Sequence, residues 1–383
     1  MNTSRYVVVG AGLAGSATAW ALARRGHEVT VLERALPATP DGSSHGSARI
    51  FRYAYADPFY AALVVRARRH WDELEQITGQ QLITPTDALD FGILRDPVGL
   101  AGVLAAVDVP HEILTAAAVR DRWPGIEVDT DTLWHGGAGV IDAQSTVLAQ
   151  LTLARRHGAQ LRTGWDVAKI ERTGGGFRLT SDDGAVLEAG HVVVSAGGWL
   201  PVLLADLPLP PDFVRALPSF TVRQEQVFHF PYRDAEAGAD ARPGARWPTF
   251  IHKSPAISTY SLPGGRDAGG RGQKVAEYAG GRVLASAAAQ DGRVDPANRA
   301  RVVDYVRRRV PGLVPEPYAE ATCLFTSTPS EDFVIDGVDG LLVLSPCSGH
   351  GAKFAPLLGE LAADALEGRG STARFGIGSF ASV

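Results

Sequence analysis

Residues 5–33 read RYVVVGAGLAGSATAWALARRGHEVTVLE, and this stretch decides the fold. The apolar run at residues 6–9 is typical of a buried parallel strand, and Gly10, Gly12 and Gly15 follow it at once in G-x-G-x-x-G spacing. In such a turn the first glycine permits a tight bend, the second lets backbone approach a pyrophosphate, and the third lets a helix pack close to the sheet. The stretch therefore predicts a strand and a glycine turn that open a parallel sheet.

The residues after the glycines complete this pattern. Residues 16–25 are rich in Ala and Leu and lack Gly and Pro, which favours a helix that Gly26 can end. Residues 29–32 form a second apolar strand, and Glu33 follows at its carboxyl end, where a ribose hydroxyl needs an acceptor. The positive end of the helix suits a pyrophosphate. The pattern indicates dinucleotide binding rather than an ordinary glycine turn, but it does not distinguish FAD from NAD(P).

Length and charge limit the classes of function. A chain of 383 residues is longer than a single hydrophobic core usually accommodates, so we expect two domains. The net charge of −5 gives no electrostatic case for nucleic acid or a lipid surface. No apolar run approaches the ~20 residues of a membrane helix, and no secretory signal is visible. We therefore expect no nucleic-acid or membrane partner and a cytoplasmic location.

Thiols and lysines are scarce. Cys323 and Cys347 are the only cysteines, and neither a disulfide framework nor a metal site is expected from them. From the residues alone, each is most simply a small buried hydrophobe. The four lysines are Lys169, Lys253, Lys274 and Lys353. Because arginine supplies most of the positive charge, a lysine in an apolar or glycine-rich setting is a candidate functional residue.

The remaining chain mixes helical and strand patterns. Apolar and polar residues alternate in residues 220–286, which predicts an antiparallel β region. Residues 136–142 are rich in glycine and predict a turn in which the chain reverses direction. Helices are predicted at residues 60–77, 100–107, 116–123, 146–158, 200–205, 298–309 and 355–366. Strands are predicted at residues 82–94 (as strands joined by a turn), 159–163, 165–172, 176–181, 191–194, 322–326, 333–335 and 341–344.

Three further segments are candidate site elements. SAGGW at residues 195–199 and SGHG at residues 348–351 each lead from a strand into a helix, where backbone N–H groups can hold an electron-rich group. Arg49 and Arg52 are three apart, so in a helical turn they would share a face. Taken singly, the glycine turns are equally compatible with helix packing, and the arginines with a solvated pair.

In combination, these segments resemble the flavin amine oxidases of the D-amino-acid-oxidase superfamily. The resemblance is to the monomeric sarcosine oxidase and N-methyltryptophan oxidase branch, which also contains pipecolate and glycated-amino-acid oxidases, and it covers essentially the whole chain. The matching segments are GAGLAG (10–15) with Glu33, SSHGSARIFRYAY (43–55), VVVSAGGW (192–199), GGRGQK (269–274), CLFTSTPSEDFVID (323–336) and SGHGAKF (348–354).

The resemblance implies an α/β fold class with an α+β second domain. It implies a Rossmann-type FAD-binding domain, discontinuous in sequence, at residues 1–85, 145–215 and 320–383. A mixed, largely antiparallel β substrate domain is implied at residues 86–144 and 216–319.

The resemblance also resolves the cofactor as FAD. Cys323 matches the cysteine that forms a thioether to the flavin in such enzymes. Cys347 has no such match and is still expected to be a small buried hydrophobic residue. The candidate cofactor-binding residues are Gly10, Gly12, Gly15, Glu33, Arg34, Ser44, Arg49, Val167, Gly197, Cys323, Gly349, His350, Gly351 and Lys353.

Six residues are candidates for catalysis by the same resemblance. Arg52 and Lys353 match the pair that holds a substrate carboxylate, and Lys274 and Arg49 match basic groups beside the flavin ring. Lys274 corresponds to the lysine proposed as the site of oxygen activation, and Tyr260 to the tyrosine that borders the substrate. The chain departs from the family pattern at Tyr278, where a histidine is usual, and in the longer loop at residues 264–272. Both departures lie on the substrate side, so sarcosine itself is not assigned as the substrate.

The expected function is FAD-dependent oxidation of a secondary amine of an amino or imino acid to an imine, with O₂ reduced to hydrogen peroxide. The expected partners are this small-molecule substrate and O₂, and we expect a monomer. The alternatives are a flavin dehydrogenase with a non-oxygen acceptor, a nicotinamide-dependent dehydrogenase, and a flavin-binding protein without turnover.

Overall fold

The computed structural model describes residues 3–234, 247–369 and 373–380. Within these ranges the chain forms one eight-stranded and one ten-stranded sheet, with helices packed against them. This architecture confirms the predicted mixed α/β fold class. Part of the predicted antiparallel region, residues 235–246, lies outside the described ranges.

Strands and α-helices alternate in the first part of the chain, whereas groups of strands follow one another in the rest. In chain order the strands are β1 (Thr3–Val9), β2 (Val29–Glu33), β3 (Arg49–Phe51), β4 (Ile83–Phe91), β5 (His111–Leu114), β6 (Thr132–Ile141), β7 (Gln160–Thr163), β8 (Val167–Thr173), β9 (Gly176–Ser181), β10 (Val186–Val194), β11 (Thr221–Pro231), β12 (Thr249–Lys253), β13 (Ser258–Pro263), β14 (Gly272–Glu277), β15 (Arg282–Leu284), β16 (Ala319–Ser327), β17 (Val334–Val338) and β18 (Leu341–Ser345). The α-helices of the described ranges are α1 (Leu13–Arg24), α2 (Pro58–Thr78), α3 (Pro97–Ala106), α4 (Ala116–Arg122), α5 (Ala143–Arg156), α6 (Leu200–Leu203), α7 (Pro211–Ala216), α8 (Pro296–Arg309) and α9 (Ala355–Leu366).

The first sheet has a parallel centre. Strands β7, β2, β1, β10 and β18 run side by side in the same direction, β17 pairs antiparallel with β18, and β9 and β8 extend from β10. Val9 of β1 is in register with Val194 of β10, so the segments that follow these strands emerge together. In open parallel sheets, ligands bind outside such carboxyl ends.

Helices α1, α5 and α9 form one layer on this sheet. Nearly every residue of α1 is buried, which explains why its sequence is apolar on all sides. Helix α9 packs against α1 at Gly359, where a β-carbon would lie 2.3 Å from the Ala17 carbonyl oxygen. Several helices begin at a capping aspartate: the side chains of Asp57, Asp142 and Asp295 each accept a backbone N–H in the first turn.

The second sheet is largely antiparallel. Its main path runs β15-β11-β14-β13-β12-β4-β6-β3, with β16 paired to β11 and β5 paired to β6. One neighbouring pair, β4 and β12, is parallel, and it aligns Asp90 with Ile251. Because both strands end at the same edge, Lys253 at the end of β12 lies beside the turn that follows β4.

Three local predictions are wrong. Residues 82–94 hold one strand, β4, and a turn rather than two strands. The glycine-rich residues 136–142 belong mostly to β6, where Gly139 lies so close to β4 that a β-carbon would be 2.8 Å from the Thr84 carbonyl oxygen. Arg49 and Arg52 do not share a helical turn, because residues 49–51 form β3 and pair with β6.

The predicted division into two domains remains a proposal. Strands β3 and β16 hydrogen-bond within the second sheet, although the predicted boundaries group their residues with the first domain. A division drawn by sheet membership would therefore move these two strands. None of the described helices has the length and apolarity to cross a membrane.

Candidate active site

A cavity of about 810 Å³ is lined by residues from both sheets. All the candidate site residues predicted from the sequence line it except Gly15. The predicted residues that it brings together are Gly10, Gly12, Glu33, Arg34, Ser44, Arg49, Arg52, Val167, Gly197, Tyr260, Lys274, Tyr278, Cys323, Gly349, His350, Gly351 and Lys353.

The glycine turn forms one end of this cavity. Gly10 has φ +97°, and a β-carbon there would lie 2.4 Å from the Ser195 carbonyl oxygen. Gly15 lies behind the cavity, where a β-carbon would be 1.9 Å from the Gly10 carbonyl oxygen, so it sets the close packing of α1 on the turn. The Leu13 N–H, at the start of α1, donates to the Ser44 hydroxyl over 3.0 Å.

Glu33 lies beside the turn, as its spacing predicts. Its two carboxylate oxygens accept the backbone N–H groups of Ala11, at 2.8 Å, and Ala35, at 3.1 Å. A carboxylate has about four acceptor positions, so these bonds orient it and leave capacity for a hydroxyl donor. Arg34 stacks its guanidinium over Trp199, 4.7 Å from the ring centroid, at the same end.

Cys323 lines the cavity from β16, a strand of the second sheet. Cys323 is 7% exposed. Burial raises the pKa of its thiol, although the charges of Arg49 and Lys274 act in the opposite direction. Directly opposite, in register on β11, is Glu225, a carboxyl group that the sequence did not single out. Burial raises the pKa of Glu225 to about 7, while the Gly281 N–H donates to it over 3.1 Å.

Lys274 is buried close to Cys323. Its ammonium donates to the Ala48 carbonyl oxygen over 3.1 Å, and burial together with Arg49 lowers its pKa to about 8. Burial and the neighbouring cations also lower the pKa values of His45 and His229 to about 4. Both imidazoles are therefore neutral near pH 7, and Lys274 and Arg49 carry the local positive charge.

The turn before α9 forms another wall. Ser348 and Gly349 have φ values of +38° and +69°, and a β-carbon on Gly351 would lie 1.7 Å from the Pro346 carbonyl oxygen. The His350 ring is within 3.0 Å of the Glu331 carbonyl oxygen through Nε2 and 2.9 Å from the Tyr55 hydroxyl through Nδ1. Because a carbonyl only accepts, Nε2 carries the proton and Nδ1 accepts from Tyr55.

Arg52 and Lys353 flank a single aromatic ring, that of Tyr55. The Arg52 guanidinium carbon lies 5.1 Å, and the Lys353 ammonium 5.7 Å, from the ring centroid. Lys353 also donates to the His350 carbonyl oxygen over 3.1 Å. Burial and the charge of Arg52 lower the pKa of Lys353. An anion bound between the two cations would relieve this repulsion.

A buried ion-pair network behind Arg52 was not predicted from the sequence. Asp90 is fully buried, and its Oδ1 lies 2.6 Å from Arg95 Nη2 and 4.0 Å from Arg52 Nη1. Arg95 and Arg52 both donate to the Ala54 carbonyl oxygen. Burial opposes ionisation of Asp90, but the two guanidinium groups outweigh it and lower its pKa. No motif marks these residues, because they come together only through the fold.

The two candidate tyrosines lie on the second-sheet side. Burial raises the pKa of Tyr260 well above its usual range, so its hydroxyl is neutral. Tyr278 donates its hydroxyl hydrogen bond to the exposed Glu331 carboxylate. Tyr278, which stands where the family usually has a histidine, is thus held by the Glu331 carboxylate at the margin of the cavity.

The cavity fits a dinucleotide that carries a reactive ring at one end. Gly10 and Gly12 line the cavity at the start of α1 without side chains, and Glu33 supplies a fixed acceptor beside them. Cys323 lines the cavity from the second sheet, with Lys274 and Arg49 near it. Within the described ranges, no cluster of His, Cys, Asp and Glu is placed to hold a metal ion.

Comparison with known proteins agrees with this geometry. The family model described as FAD dependent oxidoreductase matches residues 5–365. The chain is 32% identical to a monomeric sarcosine oxidase of Streptomyces avermitilis over 94% of this chain and 93% of that one. It is 29% identical to an N-methyl-L-tryptophan oxidase of Salmonella agona over 95% and 94%. The solved structure of NikD, titled an unusual amino acid oxidase essential for nikkomycin biosynthesis, superposes with a TM-score of 0.84 at 25% identity, covering 98% of each chain.

The Asp90 network generates a stability prediction. Asp90→Asn should lower the free energy of unfolding by about 3 kcal/mol, because Arg95 and Arg52 lose their buried counter-charge. The exposed i,i+4 pair offers a matched control: Asp72→Asn, beside Arg68, should cost below about 1 kcal/mol. Urea unfolding at pH 7 measures both changes.

The same network predicts a pH dependence. Since the folded-state pKa of Asp90 is lowered, its contribution is complete above the unfolded-state pKa and is lost as pH falls through the folded-state pKa. The difference between wild type and Asp90→Asn should therefore shrink at acidic pH. Equal costs for Asp90→Asn and Asp72→Asn at pH 7 would contradict the network's role.

Proposed function

The chain belongs to the FAD dependent oxidoreductase family, and on this premise we propose that it oxidises the secondary amine of an N-substituted or cyclic amino acid to an imine, with O₂ reduced to hydrogen peroxide. The observation that carries the proposal is the pair of buried cations, Arg52 and Lys353, in the same cavity as Lys274 and Cys323. The amine oxidase names of its relatives support the reaction class.

When bound, FAD would supply the redox chemistry, namely removal of a hydride equivalent from the carbon next to nitrogen and delivery of two electrons to O₂. The protein holds the substrate. Arg52 and Lys353 bind its carboxylate, which fixes the direction of the C–N bond, and Tyr260 and Tyr278 border the space left for its side chain. Most of the catalytic gain from these residues is orientation.

We assign oxygen activation to Lys274, assisted by Arg49. A compact ammonium in a desolvated site stabilises negative charge that develops on O₂ far more than it would in water. The neutral histidines beside it leave this task to the two cations.

We assign the remaining candidate residues to the cofactor. Gly10, Gly12 and the start of α1 would hold its pyrophosphate, with Glu33 on the ribose. The turn at residues 348–351 would lie against the ring, where backbone N–H groups favour negative charge. Arg34, Ser44, Val167 and Gly197 line the same cavity and would contact the remainder of the cofactor.

We propose that FAD is attached covalently through Cys323. The cysteine is free, lines the cavity and lies near Arg49 and Lys274, two cations that favour its thiolate form.

We further propose a monomer that acts in the cytoplasm. The candidate site residues meet in one cavity of the chain, so the proposed site needs no residue from a second copy. Both cysteines are free, as is usual in a reducing compartment.

The proposed reaction is tested by a panel of amines. Sarcosine, N-methyltryptophan, pipecolate, proline and glycated amino acids are each mixed anaerobically with the purified yellow enzyme. At least one should bleach the flavin absorbance, and admitted air should restore the colour with one peroxide formed per turnover. If amines bleach the flavin but air yields no peroxide, the enzyme is a dehydrogenase. Bleaching by none of these amines would contradict the proposed substrate class.

Covalent attachment is tested by acid precipitation. The wild-type colour should stay with the precipitated polypeptide, whereas Cys323→Ser should release its flavin into the supernatant. Cys347→Ser is the matched control, because Cys347 also lines the cavity and should not change the result. Release of flavin from the wild type would reject the linkage.

The role of Lys274 is tested by separating the half-reactions. Lys274→Met should slow reoxidation of the reduced enzyme by O₂ at least about a hundredfold, the usual effect of losing one electrostatic stabiliser, and should slow anaerobic reduction much less. Lys169→Met, at an exposed site, is the control.

A pH profile adds an independent readout for Lys274. Its pKa is lowered to about 8, so the ammonium is present below that pH and is lost as pH rises through it. The reoxidation rate of the wild type should fall as pH rises through about 8, and Lys274→Met should abolish this fall. An unchanged alkaline limb in the variant would assign the titration to another group.

A further inference from the structure

We propose that the substrate carries a second anionic group, of carboxylate type, and that Lys253 and Arg95 form the subsite that binds it. This inference rests on the proposed function and narrows its substrate class to amino or imino acids with two acidic groups. Nothing in the reaction itself requires the second group, so the subsite would determine specificity.

The cations around the substrate end differ in whether a carboxylate is bonded to them. The five that line this part of the cavity are Arg52, Arg95, Lys253, Lys353 and Arg374. Asp90 pairs with Arg95, Asp57 and Asp332 pair with Arg374, and Glu331 accepts the Tyr278 hydroxyl. Among the described residues, no carboxylate is bonded to Lys253 or Lys353. The carboxylate next to the reacting amine is assigned to Arg52 and Lys353, so Lys253 is left for another anion.

Lys253 lacks a bonded partner within the described part of the chain. Among the described residues, no hydrogen bond or ion pair is formed by its ammonium group, although the residue is only partly exposed. Burial, with Arg95 and Arg52 nearby, lowers the pKa of Lys253, and the opposing influence of Glu331 and Asp90 does not offset this. An unpaired ammonium that faces other cations is unfavourable, and a bound anion would remove this cost.

Lys253 and Arg95 are held rigidly beside each other. Lys253 ends β12, and its carbonyl oxygen accepts the Leu94 N–H over 3.1 Å. Gly92, with φ +102°, lets the turn pass so closely that a β-carbon there would lie 2.3 Å from the same oxygen. The turn that carries Arg95 is thus fastened to Lys253, and the Asp90 pair fixes the Arg95 guanidinium.

The cofactor does not account for these charges. Its phosphates are assigned to the turn at Gly10 and Gly12, which follows a strand of the first sheet. Lys253 ends β12 and Arg95 follows β4, both of the second sheet, on the side of Arg52 that bears Tyr55 and Asp90. The subsite is therefore free for the substrate.

Ligand binding to the yellow holoenzyme tests the subsite without turnover. Succinate, glutarate and adipate are compared with propionate and butyrate by the change that each causes in the flavin spectrum. At least one dicarboxylate should bind about tenfold more tightly than the monocarboxylates, as expected for one charged hydrogen bond. 3-Phosphonopropionate, in place of succinate, distinguishes a phosphate-type group from a carboxylate.

Variants of Lys253 decide whether this residue is responsible. Lys253→Gln should reduce the dicarboxylate preference to below about threefold, and Lys253→Arg should retain it, because the charge is kept. Lys169→Gln should preserve the full preference. Equal binding of mono- and dicarboxylates by the wild type, or a preference that survives in Lys253→Gln, would overturn the proposal.

Steady-state kinetics with N-methylated amino acids test the subsite and the proposed reaction class separately. N-methylaspartate and N-methylglutamate should show a higher kcat/KM than N-methylalanine, mainly through KM, and Lys253→Gln should reduce that ratio. If monoacids are oxidised without any diacid preference, the subsite is wrong and the reaction class stands. If no amine is oxidised while dicarboxylates still bind selectively through Lys253, the reaction class is wrong and the subsite stands.

Discussion

Burial of positive charge around one cavity is the constraint on which the site depends. An isolated cation in a low-polarity interior is costly, yet Lys274 and Lys353 are both buried without a carboxylate bonded to them. Backbone carbonyl oxygens stabilise them instead, from Ala48 and His350. Such dipoles hold an ammonium without neutralising it, so the cavity keeps a net positive potential toward its ligands.

The neighbouring histidines preserve this arrangement. His45, His229 and His350 are close to the cations, and burial together with those charges lowers their pKa values to about 4, 4 and 3. Neutral imidazoles fill space and form hydrogen bonds without adding charge. The positive potential is therefore set by lysine and arginine, whose positions are fixed by strands β3, β12 and β14 and by the turn before α9.

The sequence predicted the parts of the site that lie in short segments. Gly15 packs on the Gly10 carbonyl, and Glu33 accepts an N–H of the same turn, all within one strand-turn-helix-strand unit. Because these contacts are local, the spacing of the residues in the sequence is enough to predict them. The Asp90 network and Lys253 could not be predicted in this way, because their proximity depends on the parallel pairing of β4 with β12 across a long separation in sequence. Scarcity of lysine was the one signal that pointed to Lys253.

The surplus of cations also bears on how the amine reacts. A positive potential disfavours every protonated group within the cavity, whether it belongs to the protein or to the substrate. Burial and Arg52 already lower the pKa of Lys353, and an anion between the two cations would restore its charge. Lys274 and Arg49, which no substrate carboxylate neutralises, would likewise lower the pKa of a substrate ammonium and favour the neutral amine, whose lone pair assists loss of the neighbouring hydride. In the proposed reaction these two cations therefore replace a general base and favour release of the proton from the substrate nitrogen, while Arg52 and Lys353 hold the substrate carboxylate.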